Sequence, residues 1–199
     1  GQNILVYGWT SASVSLKKID TDGVEDAGFS ANVPNNGMSG AVYVNSGSVF
    51  VRGANGVALR KLNADGAEDA AFAANLPNLS GALYVGFFSD GKIAVAGYTF
   101  LKKLNADGTE DAAFTANLPG FAPDTTIKNL EILSDAVLLS GYYSNSREYF
   151  FYRFGSNGVK DSVFASTLQL NELVDKTIPF GGDEILIFGW FTGQLKRLD

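Results

Sequence analysis

The stretch LKKLNADGTEDAAF, residues 101–114, decides how the chain is read, because the chain repeats it. Leu59-Arg-Lys-Leu-Asn-Ala-Asp-Gly66 and Leu16-Lys-Lys-Ile-Asp-Thr-Asp-Gly23 precede it, Phe151-Tyr-Arg-Phe-Gly-Ser-Asn-Gly158 follows it, and Leu195-Lys-Arg-Leu-Asp199 is a fifth, truncated copy. Between Gly23, Gly66, Gly108 and Gly158 the spacings are 43, 42 and 50 residues, a period of roughly 40–50 residues that marks propeller-type repeats. The phrase runs into Asp-Gly or Asn-Gly, so it reads as a strand whose glycine takes a positive φ to reverse the chain. Three residues beyond each glycine stand Asp26, Asp69, Asp111 and Asp161, and three further on Phe29, Phe72, Phe114 and Phe164. An aspartate that accepts backbone N–H groups of a short capped turn, with phenylalanine plugging the core, explains that spacing.

A second phrase keeps the same period upstream: Ile4-Leu-Val-Tyr-Gly8, Val49-Phe-Val-Arg-Gly53, Ile93-Ala-Val-Ala-Gly97, Val137-Leu-Leu-Ser-Gly141 and Ile185-Leu-Ile-Phe-Gly189. Four largely apolar residues and a glycine predict a buried strand ending where another backbone comes close. Gly40–Val44 and Gly81–Val85 supply a further strand ahead of it, with less regular counterparts around Lys128–Leu133 and Leu173–Ile178. Each unit is then three or four short antiparallel strands with two apolar faces that only stacking on a neighbour can bury. The expectation is an all-β fold, a β-propeller of about five small antiparallel blades, in a single domain over residues 1–199. The units fall at 4–32, 33–75, 76–117, 118–167 and 168–199. Sustained helical periodicity is missing.

Composition agrees. Hydrophobic content of 46%, 23 glycines against 5 prolines, 15 Phe and 8 Tyr suit strands joined by tight turns. The chain has neither cysteine nor histidine, which excludes disulfides, thiolate nucleophiles, Cys/His zinc sites and imidazole catalysis. A net charge of −6 argues against a nucleic-acid surface. The apolar run Ile185–Phe191 falls far short of the ~20 residues of a membrane helix. A start at Gly1-Gln2-Asn3 without methionine suggests a trimmed chain from which any export signal had been removed.

With its K/R-rich strand and Asp-Gly-x-x-Asp-x-x-Phe core, the repeat resembles the delta-60 repeat, a bacterial β-propeller-type repeat of unknown function found in secreted and surface proteins. The match is full at 22–29, 65–72 and 107–114, while copy four has Asn157 in place of Asp. The resemblance implies a propeller-like fold and an extracytoplasmic location, and it carries no activity.

Four candidate sites follow. No cofactor is expected beyond Ca²⁺, to which Asp20, Asp22 and Asp26 offer carboxylates; copies two and three carry Asn63 and Asn105 at the first position, and Asx turns and caps use the same residues. The pairs Lys17-Lys18, Arg60-Lys61, Lys102-Lys103 and Lys196-Arg197, with Arg153, alternate across a strand, so their heads are expected near the aspartate of the following turn. After the strand-end glycine come Trp9, Ala54, Tyr98, Tyr142 and Trp190. The four aromatics form a stacking rim for a glycan or protein if exposed, with Thr10, Thr99 and Thr192 nearby, or fill space between blades if buried. Tyr142-Tyr143 and Tyr149–Tyr152 thicken the aromatic density of copy four, whose extra length, 50 residues against 42, predicts a protruding hairpin where binding tends to sit. For catalysis only carboxylates remain: Glu131 and Asp175 interrupt apolar strands, with Asp183 and Glu184 beside a turn. A glycosidase would need such a pair to converge within about 5–10 Å. The reading is a non-catalytic, exported or cell-surface binding module; the alternatives are a structural spacer and, behind it, a glycoside hydrolase.

Overall fold

The computed structural model describes residues 4–9, 14–34, 38–45, 47–53, 59–164, 173–179, 184–189 and 195–198. Their strands are β1 (Ile4–Trp9), β2 (Val14–Ile19), β3 (Met38–Asn45), β4 (Ser48–Gly53), β5 (Leu59–Leu62), β6 (Ala82–Phe87), β7 (Ile93–Gly97), β8 (Leu101–Leu104), β9 (Thr125–Leu133), β10 (Ala136–Tyr143), β11 (Tyr149–Phe154), β12 (Val174–Pro179), β13 (Ile185–Gly189) and β14 (Leu195–Leu198). Three six-residue helices follow the outer strands of the first three copies: α1 (Ala27–Asn32), α2 (Ala70–Asn75) and α3 (Ala112–Asn117). In these three copies the capped turn expected after the glycine is thus a short α-helix. One-and-a-half turns are too few residues to leave a helical period in the sequence.

The described strands form five antiparallel sheets: β1–β2, β3–β4–β5, β6–β7–β8, β9–β10–β11 and β12–β13–β14. By contact the chain divides into two compact units, Gly1–Ala82 with Asp107–Thr109, and Leu83–Ala106 with Glu110–Asp199.

Within the first unit, Leu16 and the α1 plug Phe29 pack with Val49, Val51 and Leu62 of the next sheet. Two such clusters form in the second unit. Phe114 of α3, Ala94 and Ala96 meet Val137, Leu139 and Phe154, and Leu138, Phe151 and Phe164 meet Ile185 and Ile187. Side chains alternate across a strand, so Val137 and Leu139 enter one core while Leu138 enters the other. That two-sided burial is why the strand phrase is continuously apolar.

Three hydrogen bonds tie these copies in the same way. Asn32, Asn75 and Asn117, closing the three helices, donate from Nδ2 to the turn carbonyls of Asp65 (3.1 Å), Asp107 (3.0 Å) and Asn157 (2.9 Å). Beside each bond lies the turn glycine, Gly66 (φ 90°), Gly108 (φ 92°) or Gly158 (φ 85°). A Cβ there would run into the carbonyl oxygen of Phe29, Phe72 or Phe114 respectively. Glycine is required at these positions by its conformation and by the close approach together.

Gly158→Ala is therefore expected to destabilise by about 2–5 kcal/mol, about 1–2 from the left-handed φ and about 1–3 from overpacking. Phe114→Ala, emptying a buried plug, is expected to cost about 3–5 kcal/mol. Urea unfolding monitored by aromatic fluorescence checks both.

Candidate functional site

Behind each turn the basic residues of the outer strand are organised by its pleat. The second position of each pair lies over the phenylalanine that follows the turn: Lys18 over Phe29 (5.1 Å to the ring centroid), Lys61 over Phe72 (5.6 Å), Lys103 over Phe114 (5.6 Å) and Arg153 over Phe164 (4.7 Å). Three of the four also pair with the aspartate three residues before that ring, Lys18 with Asp26 (2.6 Å), Lys61 with Asp69 (3.0 Å) and Arg153 with Asp161 (2.6 Å). In copy three Lys92 takes Asp111 (3.0 Å), and Lys103, buried, donates instead to the Ser156 carbonyl (2.8 Å). Desolvation pushes its ammonium below the usual lysine range.

The first of each pair faces the other way and meets a glutamate, as Lys17–Glu25 (2.7 Å), Arg60–Glu68 (3.3 Å) and Lys102–Glu110 (2.6 Å). Copy four exchanges this pair for Tyr152 under Lys160, whose Nζ lies 3.4 Å from the ring centroid. The expected approach of the basic heads to the following aspartates holds, with glutamate as a second partner.

The acidic turn of copy one is occupied by its own backbone. Asp20 Oδ1 accepts N–H groups of Asp22 (3.0 Å) and Val24 (2.9 Å), and Asp26 Oδ1 accepts that of Phe29 (3.0 Å). The Lys18 ammonium, then the Phe29 N–H, holds the Asp26 carboxyl below its ordinary value. Among the described residues no cluster of three or more acidic side chains is placed to hold a metal.

Of the four rim aromatics, the structure describes the side chains of Tyr98 and Tyr142. Trp9 lies in β1 opposite Val14, with its side chain outside the described residues; Ala54 and Trp190 lie outside them too, as do Thr10, Thr192 and Asp183. The Gly97 N–H donates to the Phe100 carbonyl (3.0 Å), and this tight turn thrusts Tyr98 outward, 52% exposed. Its carbonyl accepts the Ile127 N–H of β9 (2.9 Å).

Tyr142 lies one position further into its sheet, opposite Thr126 of β9 and Tyr149 of β11. A bulge at Ser140/Gly141 brings the β9 backbone onto Gly141, where a Cβ would overlap the Thr126 carbonyl; the close backbone approach expected of this glycine is present in copy four, whereas a Cβ at Gly8 of copy one would meet nothing within 4 Å. Tyr98 and Tyr142 thus flank the same segment, Thr126–Ile127. The Tyr149 ring meets Tyr142 edge-on at 6.4 Å, and Lys128 Nζ lies 5.8 Å from the Tyr142 centroid. Lys128 and Tyr149 did not emerge from the sequence as partners, because cross-strand register alone brings them there.

Below this ledge the copy-four hairpin continues as a ladder. The Tyr143 and Tyr152 hydroxyls share a 3.0 Å hydrogen bond, and Phe150 stacks on Tyr152 at 4.9 Å. Burial first, then the bond to Tyr143, pushes the Tyr152 phenol well up. The hairpin tip leans on Asp124, whose carbonyl accepts the Ser144 N–H (2.9 Å) and hydroxyl (3.1 Å).

The carboxylates separate by environment. Glu131 is half-buried on β9 opposite Leu138, and burial raises its carboxyl above the ordinary range. Asp175 is exposed at a bulge in β12, and Glu184, partly buried, precedes β13.

Stacked antiparallel sheets, repeating turns and recurrent inter-copy latches define a β-propeller-type repeat protein. The family model "Domain of unknown function (DUF5122) beta-propeller" matches residues 89–114, from the turn before β7 to Phe114. No curated protein matches the sequence. Among solved structures, the chain is similar to the extracellular domain of a protein described as the hybrid two-component system BT4673 from B. thetaiotaomicron. That match has a TM-score of 0.63 and 13% identity over 93% of the chain and 25% of that one. A second such extracellular domain from B. thetaiotaomicron, BT3049, aligns with a TM-score of 0.51 and 13% identity over 94% of the chain and 25% of that one. Sqt1 of Saccharomyces cerevisiae aligns at 0.52 and 12% over 94% of the chain and 56% of that one. The chain spans about a quarter of the length of the two bacterial domains. At these identities the likeness is one of fold.

Two titrations test the electrostatics. The Arg153 guanidinium, joined by the Val163 and Phe164 N–H groups, holds the Asp161 carboxyl down to about 2. A folded value below the unfolded one of about 3.9 stabilises above that pH and is lost as pH falls through about 2. Arg153→Met is expected to move the Asp161 midpoint back toward ordinary carboxylates, read by carboxyl-carbon NMR. Glu131 has the opposite sign: its charge costs stability at neutral pH, a cost relieved as pH falls through its raised value. Glu131→Gln is accordingly expected to raise Tm at pH 7 and to leave it unchanged at pH 3.

Proposed function

We propose that the chain is a non-catalytic binding module of an exported or cell-surface protein, built from repeats of the delta-60 kind, that takes a glycan or protein partner on its aromatic rim. The supporting observation is Tyr98. An amphipathic ring half in solvent at the end of a buried strand, with Tyr142, Tyr149 and Lys128 gathered on the same stretch of β9, is a surface on which a sugar ring or a peptide side chain can stack. The resemblance to extracellular domains supports an extracytoplasmic location, and no described helix is long and apolar enough to cross a membrane.

No catalytic role is assigned. Glu131 is half-buried and Asp175 exposed, and neither is given a role in the proposal. One observation favours the second reading, a structural spacer: Tyr142 is half-buried against Tyr149, so part of the rim fills space within its own sheet.

Glycan-array screening of the wild-type chain separates the two. A binding module is expected to show a hit that Tyr98→Ala weakens by about 1 kcal/mol, roughly fivefold, with Tyr142→Ala, Trp9→Ala and Trp190→Ala mapping the rest of the rim. A hit indifferent to all four substitutions would remove the rim from the proposal. Silence across both glycans and candidate proteins would favour the spacer.

A further inference from the structure

The four later copies of the phrase that begins Ile4-Leu-Val-Tyr-Gly8 in copy one bury their first and third residues. Val49, Val51, Ile93, Val95, Val137, Leu139, Ile185 and Ile187 are at most 8% exposed. Their counterparts in the first sheet, Ile4 and Val6, are 48% and 46% exposed. The strand opposite shows the same contrast: Ile19 pairs with Ile4 and is only partly buried, whereas Leu62, Leu104 and Phe154 in its place are fully buried.

What covers this face where it is covered is visible twice. Phe29 packs with Val49, Val51 and Leu62, and Phe114 with Val137, Leu139 and Phe154. The turn agrees. Gly66, Gly108 and Gly158 each lie on a phenylalanine carbonyl of the preceding copy, while a Cβ at Gly23, with φ 81°, would meet nothing within 4 Å. Among the described residues the first sheet also has two strands where the other four have three.

From these differences we infer that the face formed by Ile4, Val6, Ile19 and the Asp20–Gly23 turn is a docking surface for a further unit of this same repeat, one that brings its own Asp-x-x-Phe-x-Ala-Asn helix. The unit's phenylalanine covers Ile4, Val6 and Ile19 and its carbonyl rests on Gly23. Its asparagine donates to the Asp22 carbonyl, and its following strand completes the β1 sheet. A second copy of residues 1–199 does not fit the role, because the helices ending in Asn32, Asn75 and Asn117 are already seated on turns of their own chain. An apolar patch beside a strand edge with no partner among the described residues is a surface that proteins ordinarily cover.

The test extends the full chain at its N-terminus with a copy of residues 48–92 joined directly to Ile4, which continues the repeat in register. The expected results are a higher Tm, amide hydrogen exchange across Ile4–Trp9 and at Gly23 slowed at least tenfold, and loss of that protection when the added copy's phenylalanine, the one corresponding to Phe72, is changed to alanine. Gly23→Ala carries only its φ strain in the unextended chain, and its Tm penalty is expected to grow in the extended one to match that of Gly66→Ala. Unchanged exchange over Ile4–Trp9 with the added copy folded would overturn the inference. So would a dimer of the unextended chain that Val6→Glu dissociates, since a second copy would then hold the face.

Discussion

A glycine lying on a phenylalanine carbonyl is the contact through which one copy of the repeat addresses the next. At Gly66, Gly108 and Gly158 the backbone takes a conformation that side chains avoid and closes to a distance that a Cβ would forbid. The nearby asparagine bond only works at that distance. Once it is made, the phenylalanine ring is delivered under the apolar strands of the following sheet, and the spacing from aspartate to phenylalanine to asparagine becomes a fixed ruler. Strand lengths, loop lengths and the hairpin of copy four vary around that ruler without disturbing it.

Charge serves the same contact. Partly exposed ion pairs contribute little individually, about 0–1 kcal/mol, so the repeated Lys–Asp and Arg–Asp pairs are better understood by where they hold the cation: above the plugging ring, its stem covering apolar surface. The exceptions follow from substitutions nearby. Lys92 displaces Lys103 from Asp111, and Lys103 turns to a carbonyl in the next turn of its unit. Where copy four carries Lys160 instead of glutamate, it also carries Tyr152 in place of a basic residue, and an ammonium over a ring replaces a salt bridge.

Such a scaffold leaves its strand ends free to differ. Trp, Ala, Tyr, Tyr and Trp follow the strand-end glycine in successive copies, a variation that the core does not impose. At copies three and four two of these residues are brought to one stretch of β9, one thrust into solvent by a tight turn and the other leaning on its sheet. Regular cores with irregular rims are the usual arrangement in repeat proteins that bind.

The sequence by itself determined the period, the alternation of a buried strand with a basic one, the positive-φ turns, the aspartate caps and the all-β class, because each depends on residues close together in the chain. Asn32, Asn75 and Asn117 were legible in principle, as a Phe-x-Ala-Asn run ahead of Val-Pro or Leu-Pro, but their partners lie 32 to 40 residues away and periodicity does not say which groups face each other. Tertiary structure alone decided that Tyr98 is exposed while Tyr142 leans on Tyr149, that Glu131 is half-buried while Asp175 is in solvent, and that the first sheet is bare where its equivalents are covered. Exposure is set by which neighbour lies on a face, and identical phrases acquire different neighbours only when the chain is folded.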